Sequence, residues 1–331
     1  MTRITWTPLH NTMLRRVSHK KPSYHTHSDS KLQFPHFKKL ELSDRETIES
    51  FVSKYPPYSD FNFTSLWSYN VHDEAEFSFL NDNLVVKFHD YITGEPFYTF
   101  LGENKPVETV ETLLKSAKEN SLAHKLKLIP EVVAKALANY KHNFSIVEDQ
   151  DSHDYIYSIS EMALLVGNKY RGKRNFVNRF KAYEKELDLR NVDINDKALQ
   201  EGYIEMFFKW EYQKNKNRHD TEIELAALKR LFQLTSLKNL YSLAIFQGPK
   251  VKAFSIFEIV NDDYATLHFL KADISYIGIY PYLFQQRAKF LEEKGIRYLN
   301  GEQDLGIENL RKSKKSWLPC HYLKKYTISY I

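Results

Sequence analysis

A single cysteine, Cys320, stands in a chain of 331 residues. It has no partner for a disulfide and cannot build a cysteine metal site, and such sparing use fits a reducing compartment. Glycine is scarce, at 10 residues, which excludes flexible low-complexity and collagen-like chains. No apolar run reaches the roughly 18 residues that a membrane-spanning helix needs. The first residues also lack the apolar core of a secretory signal. The expectation is a soluble, cytoplasmic protein with no transmembrane segment. A G-x-x-x-x-G-K loop is missing, which argues against an NTPase. His19, His25, His27 and His36 follow no ligand spacing, and no metal site is assigned.

Aromatic residues are what the chain has in quantity. Its 22 Tyr and 22 Phe, within 42% apolar content, suffice for thick packed sheets. The length suits two domains. Lys and Arg outnumber Asp and Glu by 47 to 42, a net charge of +5 that permits an anionic partner without demanding one. Residues 1–36 carry Arg15, Arg16, Lys20 and Lys21 without periodicity, and they read as a mobile or loosely docked tail.

Two halves follow. In residues 37–165, Ser43 and Glu46 form a capping box for a helix ending near Lys54. Tyr58–Trp67 reads as a turn, formed by Asp60 and Asn62, leading into a strand. Strand-like runs at Glu76–Leu80, Leu84–His89 and Pro96–Leu101 come next, then helix, strand, helix and strand to Val147. In residues 166–331, a basic helix from Gly167 to about Leu187 carries an apolar stripe of Phe176, Phe180 and Tyr183 and connects the halves. Its Asn175 and Asn178 are expected to cross-link the two units by hydrogen bonds. A strand, two helices and strands at Leu240–Phe246, Val251–Ile259 and Ala265–Leu270 follow. The halves repeat an order of elements, not of residues. That order predicts two similar α+β units, each a mixed sheet flanked by helices.

Chemistry concentrates in Leu267–Tyr326. A strand delivers His268, Lys271 and Asp273, and an aromatic helix follows with Tyr280. A short strand, Ile296–Leu299, ends on Asn300, Glu302, Gln303 and Asp304, and a cationic helix brings Arg311, Lys312, Lys314 and Lys315. Polar groups crowding strand ends mark the usual ligand position of such sheets.

Tyr58–Trp67 (YSDFNFTSLW), Gly172–Phe180 (GKRNFVNRF), the run from His268 through Asp273 to Tyr280, and Asn300–Ile307 (NGEQDLGI) with Leu310-Arg311-Lys312 resemble one family. It is the C-terminal catalytic domain of bacterial phosphatidylglycerol lysyltransferases and their stand-alone relatives. The resemblance spans roughly Phe37 to Tyr326. It implies a tandem of two GNAT-like (acetyltransferase-type) units, and it implies transfer of an amino acid from aminoacyl-tRNA to a lipid hydroxyl, as the membrane-bound members perform. This chain departs from the family at Leu270, where an acidic residue is usual, at Gly301, often Arg, and at Asn309, often Gly. The family's membrane-spanning half has no counterpart in this sequence.

Acyl transfer needs a base near the attacking group and donors for the tetrahedral oxyanion. The cluster offers Glu302, His268 or Asp304 as base and Lys271 or Tyr280 as oxyanion donor, with Asn300 and Asp273 beside them. Arg311 and Lys314 suit a donor phosphate. Each has a plainer reading. His268 and Lys271 point to opposite faces of a regular strand, so a shared site requires a bulge. Asp304 sits where a helix cap would sit, and Glu302 could pair with Arg311. The acetyltransferase pyrophosphate turn is not evident, with Gln303–Gly306 a thin echo of it. No tightly bound cofactor is expected. The expected function is aminoacyl-tRNA-dependent transfer to a lipid or small acceptor hydroxyl or amine. The alternatives are an acyl-CoA-dependent N-acyltransferase and a non-catalytic module for anionic ligands.

Overall fold

Strands of this chain alternate between two cores, not between core and water. In the computed structural model, which describes residues 32–331 apart from 91, 141, 142 and 236, Leu84 and Val86 enter one buried cluster and Val85 another. Ala244 and Phe246 share the first cluster, while Leu243 and Ile245 enter a third. Period-two side chains with both faces apolar are what a sheet shows when elements cover both sides.

The first half supplies β1 (Lys38–Lys39), α1 (Arg45–Val52), α2 (Phe63–Tyr69), β2 (Glu76–Leu80), β3 (Asn83–His89) and β4 (Pro96–Leu101). It continues through α3 (Pro106–Glu119), β5 (Leu126–Pro130), α4 (Glu131–Ala136), β6 (Phe144–Glu148), β7 (Asp154–Ser158) and α5 (Ile159–Leu164). The second half supplies α6 (Arg171–Tyr183), β8 (Leu187–Val192), α7 (Lys197–Gln213), α8 (Arg218–Leu231), β9 (Leu240–Gln247), β10 (Lys250–Ile259) and β11 (Tyr264–Ala272). It ends with α9 (Ile279–Glu293), β12 (Tyr298–Asn300), α10 (Glu308–Lys315), β13 (His321–Leu323) and β14 (Lys325–Tyr330).

Among the described residues three sheets result, ordered β1-β2-β3-β4, β5-β14-β6 and β13-β7-β12-β11-β10-β9-β8. The duplicated element order is present, with one exchange. Strand β14 of the second half lies between β5 and β6, and β7 of the first half lies between β12 and β13. A division at 165/166 therefore cuts across both sheets, because each half's last strand is hydrogen-bonded into the other. The middle core is likewise shared: Phe63, Leu66 and Phe77 of the first half join Tyr203, Leu228 and Phe254 of the second. The outer cores hold α3 and α4 on one side and α5, α6 and α9 on the other.

Several local expectations change. Tyr58–Trp67 leads into a helix, α2, whose cap is Asn62: its side chain accepts from Ser65 N at 2.9 Å. The aromatic residues there favour strands by propensity, but burial between two sheets decides the element. The capping box before α1 is Glu41 with Asp44, not Ser43 with Glu46. Most of the expected tail, residues 1–31, lies outside the described residues. Residues 32–36 are docked, with Phe34 N donating to Phe79 O at 2.8 Å and its ring edge-on to Phe37 and Tyr98. Asn175 and Asn178 are exposed on α6 and do not face the other half's core.

Helix α6 packs on α9 through Phe180, stacked on Tyr282 at 4.7 Å. At the crossing, Gly278 has φ +92°, and a Cβ there would overlap the carbonyl oxygen of Phe176. Gly278→Ala combines a strained backbone with a clash against main chain and is expected to destabilise the protein by about 1–3 kcal/mol. Urea denaturation checks this, and an unchanged midpoint would contradict the packing described.

Candidate active site

Strand β11 reaches the site through an irregularity. Its register with β10 pairs Ile256 with Phe269 but Phe257 with Leu267, so His268 is the extra residue of a bulge. Leu267 and Leu270 pack in the outer core, whereas Phe269 enters the middle core and the Lys271 ammonium lies over Trp210 and Phe207 beside it. The bulge turns His268 toward the same side. This is the device that a shared face for His268 and Lys271 requires.

His268 is buried between two carboxylates. Nε2 lies 3.2 Å from Glu258 Oε2, and Nδ1 lies 3.8 Å from Glu302 Oε1 and 3.4 Å from Ser65 Oγ. Glu258 also accepts from Asn62 Nδ2 at 2.9 Å and Asn239 Nδ2 at 3.0 Å. Burial of the ring opposes its charge, but the hydrogen bond to Glu258 and the negative charge of Glu258 and Glu302 prevail, raising its pKa to about 9. Burial acts against the Glu258 carboxylate too, and His268 and Asn62 outweigh it, holding its pKa below the usual range. At neutral pH His268 is thus a cation that donates from both nitrogens, which corrects its reading as a free base.

Glu302 is the partly exposed member of the group. It occupies a left-handed backbone position, φ +60°, where a non-glycine residue is held by its surroundings. Its N–H donates to Asn300 Oδ1 at 2.7 Å, and its side chain accepts from Ser65 Oγ at 3.3 Å. Lys314 Nζ donates to the Glu302 carbonyl at 3.1 Å and to that of Gly301. Burial pushes the Lys314 ammonium down to about 8. The ring of Tyr157 lies where a side chain at Gly301 would go, its Cε2 2.6 Å from an added Cβ, which accounts for glycine at this position.

Under this loop runs a buried ionic hub. Lys325 Nζ meets Asp154 Oδ1 at 2.7 Å, Asp60, and Gln303 Oε1 at 3.3 Å. Asp154 also accepts from Asn300 Nδ2 at 3.0 Å and Ser59 N at 2.8 Å. Lys325, Asp154 and Asn300 are fully buried. Asp60 is therefore a charged partner in the interior, not a simple turn-former.

The remaining candidates divide. Lys271 Nζ is 2.5 Å from Glu224 Oε1 and 3.8 Å from the Trp210 ring centroid. Tyr280 is held above the usual tyrosine range by burial and faces Trp210 and the Ala272 backbone. The hydroxyl of Tyr69, likewise raised by burial, feels both Glu302 and Glu224, so the His268 and Lys271 groups border one another. Arg311 and Asp304 form a separate tie. Arg311 donates to Asp304 from Nε and Nη2, both at 2.8 Å, and to Asp151 at 2.5 Å, while Tyr155 donates to Asp304 at 2.5 Å. Asp304 is not the cap of α10, which is Ile307, and Arg311 pairs with it in place of Glu302. Asp273 is occupied by Lys209 at 2.5 Å and Gln213 at 2.6 Å, and its pKa falls to about 2: burial would raise it, but these bonds prevail. The sequence reading missed Ser65, Glu224, Glu258, Asp154 and Lys325. Glu258 alone carried a hint, an acid flanked by Ile256, Phe257 and Ile259 in a strand.

The linkage of His268 has a fixed sign. Its folded pKa lies above 6.5, so its contribution to stability is complete below pH 6.5 and is lost as pH rises through about 9. An NMR titration of the His268 ring should show a midpoint near 9. A midpoint at or below 6.5 would contradict the paired geometry.

Three helix-flanked sheets, the seven-stranded one mixed and two of them exchanging the last strands of the halves, define a tandem GNAT-like α+β protein. Residues 55–329 match the family model "Phosphatidylglycerol lysyltransferase, C-terminal", and the chain belongs to that family. A conserved protein of unknown function from Bacteroides thetaiotaomicron is similar at 28% identity and TM-score 0.78, over 89% of this chain and 99% of that one. The C-terminal domain of an Agrobacterium fabrum protein described as a lysylphosphatidylglycerol synthetase matches at 13% identity and TM-score 0.60, over 86% of this chain and 90% of that chain. L-PGS from Bacillus licheniformis matches at 13% and 0.57, over 88% and 93%. At that identity the two share the fold. No curated protein matches the chain. Among the described residues no helix is long and apolar enough to cross a membrane, and no group of three or more His, Cys, Asp or Glu could hold a metal ion.

Proposed function

We propose that the chain transfers an aminoacyl group from aminoacyl-tRNA to a hydroxyl or amine of a lipid or small acceptor. The observation that carries this is Glu302, a partly exposed carboxylate held on strained backbone by buried His268 and Ser65. In this reading the acceptor oxygen or nitrogen attacks the ester carbonyl of the donor, and Glu302 removes its proton. The tetrahedral oxyanion is met by the Lys271 ammonium, with the Tyr280 hydroxyl nearby. Collapse breaks the ester bond, and the departing ribose oxygen receives the proton from Glu302. His268 acts through Glu302 as a positioning residue, and Asp304, Asn300 and Asp273 hold the loops. Arg311 and Lys314 turn inward to carboxylates and carbonyls, so donor phosphates are left to exposed cations such as Lys312 and Lys315.

The acyl-CoA reading has less support at the start of α9. A helix N-terminus binds phosphate through free N–H groups. Here Pro281 has none, and the Phe176 carbonyl oxygen abuts Gly278. Affinity for aminoacyl-tRNA is expected to fall on the order of tenfold or more between about 50 and 200 mM salt, from counterion release. Filter binding beside an acetyl-CoA titration tests this. Micromolar CoA binding without tRNA binding overturns the donor assignment.

A further inference from the structure

Strand β8 ends the seven-stranded sheet. It is paired with β9 alone, and no described strand lies along its other edge. Every second N–H and C=O of such a strand points away from its ladder, which makes the edge a template for another strand. Proteins commonly blunt such edges by keeping them very short. Strands β1 and β13 fit that rule at two and three residues, but β8 runs for six, each exposed or half-buried. Its side chains alternate in kind. Leu187 and Leu189 pack on the outer core, while Arg190 lies across the other face, over the Phe246 ring at 4.7 Å, with Asp188 beside it.

The order of charges along β8 complements itself. When two copies extend a sheet antiparallel about a two-fold axis, opposed residues share a face, so the axis passes through one residue. With the axis on Leu189, Asp188 of each copy stands opposite Arg190 of the other. Lys185 and Asp193, exposed just outside the strand, are opposed in the same way. Moving the axis by one residue undoes this. On Asp188 it sets two carboxylates face to face, and on Arg190 two guanidinium groups. Opposite charges across a ladder stabilise it and like charges destabilise it, so the charges select one register. Edge strand β6 has no such order: turned on Ile146, it sets Glu148 against Phe144. Within one chain Arg190 Nε lies 2.7 Å from Asp188 Oδ2, an exposed pair whose exchange for contacts between copies costs little.

We propose that β8 is a homodimer interface, pairing with β8 of a second copy about Leu189 so that two seven-stranded sheets become one. The pairing involves none of the groups assigned to transfer. Sedimentation velocity of the full chain should show a monomer–dimer equilibrium that shifts to dimer as concentration rises. Asp188→Arg and Arg190→Asp each set like charges together at two symmetric contacts. Each should weaken the dimer on the order of tenfold, an effect that shrinks at high salt. Mixed one to one, the two variants should associate as wild type does, because every opposed pair is then Arg with Asp. Both should melt as dilute wild type melts, since the two side chains are exposed. A wild type that stays monomeric at high concentration overturns the proposal. So do single variants that dimerise undiminished, or a mixture that associates no better than either variant alone.

Discussion

Lys325→Met is expected to destabilise the protein by about 3–5 kcal/mol, the range for removing one partner of a buried ion pair. Its ammonium is the cation facing both Asp154 and Asp60 in the hub, where each residue is almost wholly inaccessible. Methionine fills similar volume, so the loss is electrostatic and not a cavity. Burial alone would lower the Lys325 pKa, but attraction to Asp154 and Asp60 reverses this and raises it. A raised folded pKa means that the stabilisation is complete below 10.5 and fades only above the folded value. The deficit should therefore be full at pH 7 in a denaturant titration. Against a total stability of about 5–15 kcal/mol, much of the variant would unfold under mild conditions. A loss under about 1 kcal/mol would mean that the hub contributes little.

Glu302→Gln is the matching expectation for activity. Under the transfer reading, an amide of the same shape removes the base and leaves the loop in place. Turnover should fall roughly 10²–10⁴-fold, the usual worth of general base catalysis. Because the donor is bound elsewhere, KM for aminoacyl-tRNA should hardly move while kcat drops. Transfer of a labelled amino acid to a lipid extract reads both. Wild-type turnover in the variant would remove Glu302 from the reaction and direct attention to Glu224 beside Lys271.

The elements that sequence made legible are those with strong local patterns. The β9–β10–β11 run is densely apolar and bounded by turn residues, and Phe180 marks the packed side of α6, although the stripe's other members, Phe176 and Tyr183, are exposed. The cluster at Asn300–Asp304 was legible because so many polar groups end one short strand. Other elements had no local signature. Strand β7 (DYIYS) begins with a fully buried Asp154, which reads as loop because its cation, Lys325, lies at the far end of the chain. Helix α2 is rich in aromatics and carries strand propensity, and only burial between two sheets makes it helical. The partners of His268 show the same difficulty. Glu258 and Glu302 are brought to it by a bulge and by a left-handed residue, and neither feature can be read from spacing. Arg311 and Lys314 suit a donor phosphate in sequence, yet their inward bonds come from tertiary neighbours at Asp151 and Gly301.

The exchange of last strands bears on how the chain is made. Phe144 of β6 is paired with Tyr330 of β14, and the β5–β14–β6 sheet has no direct β5–β6 contact to fall back on. During vectorial synthesis the first half must wait, with two separated edge strands, until residues 325–330 leave the ribosome. Loop closure over such a separation is slow, and open edges in the interval invite pairing with other chains. Splitting the gene between α5 and α6 should therefore yield two fragments that are insoluble apart and recover one another when expressed together.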